Sequence, residues 1–218
     1  MTAARTTRAR ARTVRLDAPR LQRAADLVRR FTGIRVELDV ARPAADTSRC
    51  GKHAALVGVL DTSLRPLLPP GRTLVQQAGI ALSVTGTIAV PDLAVCPVGF
   101  LGSDDPALHP QDVDFAVEVV LRHATLTTGV PAAVDRYARA GVRALLVVDP
   151  RPVTGPAAGT WALHTEPVGG HYWATLTGTF GATVSPRPGA RTIPLPPPLR
   201  GELPLDALPV YAQGRSGP

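Results

Sequence analysis

With 218 residues, 44% hydrophobic content and two cysteines, the chain is long enough for one well-buried core and short for two. No apolar run approaches the ~20 residues of a membrane helix, and the first residues lack the apolar segment of a secretory signal. A soluble, cytoplasmic protein with no membrane partner is therefore expected. Cys50 and Cys96 form no CxxC, which leaves neither a disulfide framework nor a zinc site to argue for; both are expected reduced and buried.

The net charge of +7 is carried by one end of the chain. Residues 1–30 hold nine arginines against Asp17 and Asp26, so everything from Phe31 onward is neutral. Such an arm either adds non-specific phosphate affinity, with DNA as the partner, or is an Arg-rich disordered leader. The composition favours arginine throughout, with Lys52 the single lysine.

Residues 1–16 have no apolar periodicity and read as a disordered Arg-rich tail. From Asp17 to Phe31 apolar residues recur at helical spacing, and Gly33 stops that helix. Ile34 to Val40 alternates as a strand, carrying Glu37. A polar loop leads to a second helix near Cys50 to Leu64, ended by Pro66, Pro69, Pro70 and Gly71. Three short β segments follow, roughly 73–77, 79–85 and 88–96, the last being IAVPDLAV. DVDFAVEVV then reads as a buried strand. A helix begins at Pro131 and runs to Ala140, with Gly141 as its C-terminal residue. ALLVVDP reads as another buried strand, and Trp161 to His164 with His171 to Thr177 as a hairpin. Residues 185–218 are proline-rich and contain a short ELPLDALP element.

This order predicts an α/β fold with a mixed sheet flanked by helices and at least one crossover. Neither GxGxxG nor GxxxxGK[ST] occurs, which disfavours dinucleotide enzymes and P-loop NTPases. GxSxG, HxxxH and CxxC are also missing.

Glu118 is a charged group inside an apolar strand, and a buried carboxylate there needs a cation, a hydrogen-bond partner or an exposed strand end. Asp92, directly after Pro91, poses the same question. Two acids on neighbouring strands, with Glu37 as a third, would make an oxygen-rich site suited to Mg²⁺. The competing reading for Asp92 and Glu118 is a structural ion pair or strand-end solvation.

The order VEL (36–38), a helix with His53 near its start, VPDLAV (90–95), FAVEVV (115–120), YARAGV (137–142) and LLVVDP (145–150) resembles the Uma-type restriction endonuclease family of the PD-(D/E)xK nuclease superfamily. The resemblance covers about Asp17 to Pro209 and implies one restriction-endonuclease-like domain over 17–209, followed by a tail at 210–218. It makes Asp92 the aspartate of the PD motif and Glu118 the acid of the (D/E)xK motif, both metal ligands, with Glu37 assisting in catalysis. The family's lysine stands four residues before the tyrosine of YARAGV; here that position is Ala133. Two residues after Glu118 stands Val120, no lysine either.

That lysine is expected to orient the attacking water and offset transition-state charge, which alanine cannot do. Lys52, Arg122 and Arg136 are the substitutes the chain offers, although guanidinium replaces a small ammonium poorly. His53 reads first as a helix-start cap or surface residue, Asp149 as the cap of the turn at Pro150, and Tyr137 as a helix residue packed on the sheet. Trp161, Tyr172 and Trp173 read as hairpin surface. Arg136, Arg139 and Arg143 form either a solvated face or a phosphate-lined groove. Two functions are carried forward: a Mg²⁺-dependent DNA endonuclease, and a catalytically silent nuclease fold that binds nucleic acid or protein. A homodimer is left open.

Overall fold

The computed structural model describes residues 50–82, 87–121, 129–152, 159–181 and 192–211. The expected tail at 1–16, the helix from Asp17 to Phe31, the strand carrying Glu37, and Arg122 lie outside the described residues.

Helix α1 spans Gly51–Leu64 and buries His53, Leu56, Val57, Leu60 and Leu64, a spacing of three and four that makes one apolar stripe. It tightens into a 3-10 turn at Arg65–Leu67, because Pro66 has no N–H to continue the ladder. Helix α2 spans Gly129–Ala140. Gly141 and Val142 then return their N–H groups to Ala138 and Tyr137 at 3.1 Å, satisfying carbonyls the helix end leaves open.

Strands β1 (Arg72–Gln76), β4 (Leu93–Pro97), β5 (Phe115–Val119), β6 (Ala144–Asp149), β7 (Gly159–Val168) and β8 (His171–Phe180) form one sheet in the order β1-β4-β5-β6-β7-β8. Only β5 and β6 are parallel, and α2 makes the crossover between them. That crossover buries both faces of the pair, so β6 is buried at all six positions and β5 at all but Glu118. Gly169 and Gly170, both at positive φ, turn β7 into β8.

The expected β segment over 88–96 divides in two. Thr87–Ala89 (β3) pairs with Ile80–Leu82 (β2) in a separate ribbon, whereas β4 joins the main sheet. Pro91 is the reason, since a residue without N–H breaks a central ladder, and the break leaves Asp92 just outside β4.

Two apolar clusters line the two faces. One joins α1 to Leu93, Val95, Phe115, Val117 and Val119, with Ile193 and Leu203 from the small ribbon β9 (Thr192–Pro194) and β10 (Glu202–Pro204). The other joins Tyr137 and Val142 to Ala94, Cys96, Ala116, Leu145 and Val147. Packing runs on to Tyr211, whose N–H donates to the Pro150 carbonyl at 2.7 Å.

Several side chains depart from expectation. Cys96 is buried but Cys50, at the N-cap of α1, is exposed; both thiols are free. Burial pushes the Cys96 thiol up to about 11. Trp161 is buried rather than a hairpin surface residue, because its ring covers the glycine opposite it, Gly178. Arg143 is more than a solvated residue: its Nη1 lies 2.7 Å from Oδ1 of the fully buried Asp114.

Candidate active site

The antiparallel pairing of β4 with β5 sets Leu93 opposite Val117. Continuing that register by one residue sets Asp92 opposite Glu118. At this point the ladder changes character. The Asp92 N–H still donates to the Val117 carbonyl at 3.0 Å, but the Val119 N–H donates to the side-chain Oδ2 of Asp92 at 2.8 Å. The carboxylate thus takes the place of a further backbone acceptor, one residue from Glu118.

Each acid is held by a residue from a different helix. Asp92 is 3% exposed, and its Oδ1 lies 3.0 Å from Nε2 of His53, itself 2% exposed on the first turn of α1. A carboxylate only accepts, so Nε2 carries the proton in this bond. Nδ1 of the same ring is buried without a hydrogen-bond partner among the described residues. Glu118 is half-buried, and its Oε1 accepts from the Tyr137 hydroxyl at 2.6 Å. Burial of the Tyr137 phenol raises its pKa well above the usual value; Glu118 and, more weakly, Asp92 push it further, while Arg136 pulls against them. One phenol therefore feels both carboxylates.

The lysine substitutes can now be located. Ala133 lies one turn before Tyr137 on α2 and is half-buried. Lys52 is exposed and donates from Nζ to the Val210 carbonyl at 3.2 Å, which draws it onto the C-terminal segment. Arg136 remains beside the phenol. Asp149 does cap its turn, accepting the Arg151 N–H at 3.0 Å and two further bonds from the Arg151 guanidinium.

Tyr211 reaches the end of β5 from the C-terminal segment. Its hydroxyl reaches the Val120 carbonyl at 3.3 Å, and burial raises the phenol to about 12, with Cys50, Asp92 and Asp149 adding to the shift. A groove of about 370 Å³ is lined by Val120, two residues beyond Glu118, and by Val147, Asp149, Thr160, Thr177 and Thr179.

The donor set suits a hard divalent ion. Both anchored acids offer carboxylate oxygens, the donor type such an ion takes. Among the described residues no group of three or more His, Cys, Asp or Glu side chains forms a metal cluster; Glu37, the third expected acid, lies outside them. His53 and Tyr137 are the residues that reading the sequence missed as parts of this site. The only signal for His53 was its place at a helix start, and for Tyr137 its place in YARAGV.

Comparison with known proteins gives one family match. The model of the family Uma2, described as "Putative restriction endonuclease", matches residues 27–196. Among solved structures, a crystal structure titled as a "putative nuclease belonging to DUF820" from Anabaena variabilis is similar at a TM-score of 0.46 and 14% identity. That match covers 68% of this chain and 74% of the other. No curated protein matches.

Proposed function

Because the chain belongs to the Uma2 family, we propose that it is a Mg²⁺-dependent DNA endonuclease of the PD-(D/E)xK type, with Asp92 and Glu118 as metal ligands and Glu37 assisting. The supporting observation is the meeting of the two acids at the strand ends, where Asp92 accepts the Val119 N–H at 2.8 Å and both carboxylates act on one phenol. A bound divalent ion would polarise the phosphodiester and acidify an attacking water.

The chain's own residues do the rest. Asp92 and Glu118 would supply the ligand oxygens, and Tyr137, 1% exposed, packs against Glu118 and holds its Oε1. The threonine hydroxyls of the neighbouring groove can donate to phosphate oxygens. The arginines of residues 1–30 add phosphate affinity that carries no sequence preference.

One observation favours a second reading, a silent module that binds nucleic acid without cutting it. The position the family resemblance gives to lysine is Ala133, and Lys52 is engaged with Val210. Nicking of supercoiled plasmid by purified protein, with and without Mg²⁺ and beside Glu118→Ala, separates the two. Nicking that needs Mg²⁺ and is lost in Glu118→Ala supports the endonuclease; DNA binding with no nicking in either protein supports the module.

A further inference from the structure

We propose that His53 and Tyr137 are positioning residues that hold Asp92 and Glu118 for a divalent ion from opposite faces of the sheet; this rests on the metal-binding reading above. The argument starts from what a carboxylate at such a place costs. Glu118 follows apolar neighbours on a strand buried at every other position, and a carboxylate there turns toward any donor it can find. The donor is the Tyr137 hydroxyl at 2.6 Å. The phenol cannot swing away, because the ring is packed within the cluster of Val142, Leu145 and Val147. Its own backbone carbonyl is tied to the Val142 N–H.

On the other face His53 does the same for Asp92. Among the described residues the imidazole makes one bond, to Asp92 Oδ1 at 3.0 Å. Its second nitrogen has no partner among the described residues, so none of them competes for the ring's orientation. Burying a nitrogen without a partner is unfavourable, and an arrangement serving packing alone would place an apolar side chain on this turn. Together with the Val119 N–H, the histidine fixes both oxygens of Asp92, and the tyrosine fixes one of Glu118. Neither residue touches the reacting atoms. Their effect passes through the acids, as outer partners of metal-ligating carboxylates do, and loss of such a partner typically weakens metal affinity ~10–100-fold.

The test measures Mn²⁺ affinity of the whole chain by calorimetry, with Mg²⁺ competition and a melting curve for each variant. Tyr137→Phe removes one hydroxyl, His53→Leu removes the donor to Asp92, and His53→Gln keeps an N–H at the end of a side chain of similar length. Tyr172→Phe is the control, since that hydroxyl donates to the Val142 carbonyl at 2.8 Å. The expected result is a ~10–100-fold weaker Kd in Tyr137→Phe and His53→Leu, recovery in His53→Gln, and the wild-type value in Tyr172→Phe. If the wild type binds Mn²⁺ and Tyr137→Phe binds it equally well, the positioning role is overturned while the metal site stands. If the wild type binds no Mn²⁺, the metal-binding reading falls and takes this inference with it. Should His53→Leu fail to fold, Tyr137→Phe alone decides.

Discussion

Ala133→Lys tests the gap in the site most directly. Ala133 precedes Tyr137 by four residues on α2, so the two share a helix face about 6 Å apart along the axis. The Tyr137 hydroxyl already touches Glu118, and a lysine stem of comparable length, about 6 Å, spans the offset of one turn. The position is half-buried, and the ammonium would lie near two carboxylates that offset its desolvation. Lysine ranks close to alanine as a helix former, a difference of about 0.3 kcal/mol, so the melting temperature should move by no more than ~2 °C. A transition-state donor of this kind is worth ~10²–10³ in rate. Mg²⁺-dependent plasmid nicking should therefore rise by that factor over the wild type. An unchanged rate in a variant that melts normally and still binds Mn²⁺ would refute the reasoning, because only the ammonium would then differ.

Removing Arg72 should destabilise the far end of β5. Asp114 is fully buried, with Arg143 hydrogen-bonded to one oxygen and Arg72 Nε 2.5 Å from the other, so Arg72→Met should cost about 3 kcal/mol; an unchanged melting temperature would rule this out. Gly178→Ala should cost ~1–3 kcal/mol, since its Cβ would meet the Trp161 ring at 2.7 Å. Gly58→Ala on exposed α1 surface meets nothing within 4 Å and should gain ~0.5–1 kcal/mol; denaturant titrations giving both the same sign would contradict the packing. Burial lowers the His164 pKa below its ordinary 6.5. The unfolded chain therefore takes up its proton first, and this contribution to stability is lost as pH falls from 6.5 toward the lowered folded value. The unfolding free energy of His164→Gln relative to wild type should be flat above pH 6.5 and rise below it; a difference flat throughout would show that the imidazole titrates alike in both states.

What could be read in advance follows the reach of each signal. The buried strands β5 and β6 were legible because burial on both faces leaves a continuous apolar run, and Glu118 stood out as the one exception within it. The ends of α1 and α2 were bounded by proline and glycine, whose effects are local, whereas α2 starts at Gly129, two residues before the expected Pro131. Asp92 and Glu118 were singled out by their unlikely settings, but their partners were not. His53 meets Asp92 across 39 residues and Tyr137 meets Glu118 across 19, from helices on opposite faces, and local pattern does not register such pairings. Arg143 was read as solvated or as part of a groove for the same reason, since Asp114 lies 29 residues away. Trp161 was misjudged because its burial depends on a cross-strand glycine. The family resemblance pointed to the missing lysine, yet only the fold locates Lys52 against Val210.

The segment that carries Val210 and Tyr211 gives the site an order of assembly. Lys52 meets Val210 across 158 residues, and Tyr211 meets Val120 across 91. A ribosome releases ~5–20 residues each second, so both acids, His53 and Tyr137 are made seconds before the residues that close these two long-range contacts. A chain whose translation stops short of Val210 would carry Asp92, Glu118, His53 and Tyr137, yet lack both of these contacts. The bonds from Lys52 to Val210 and from Tyr211 to Val120 are thus among the last contacts near the acids that synthesis makes available.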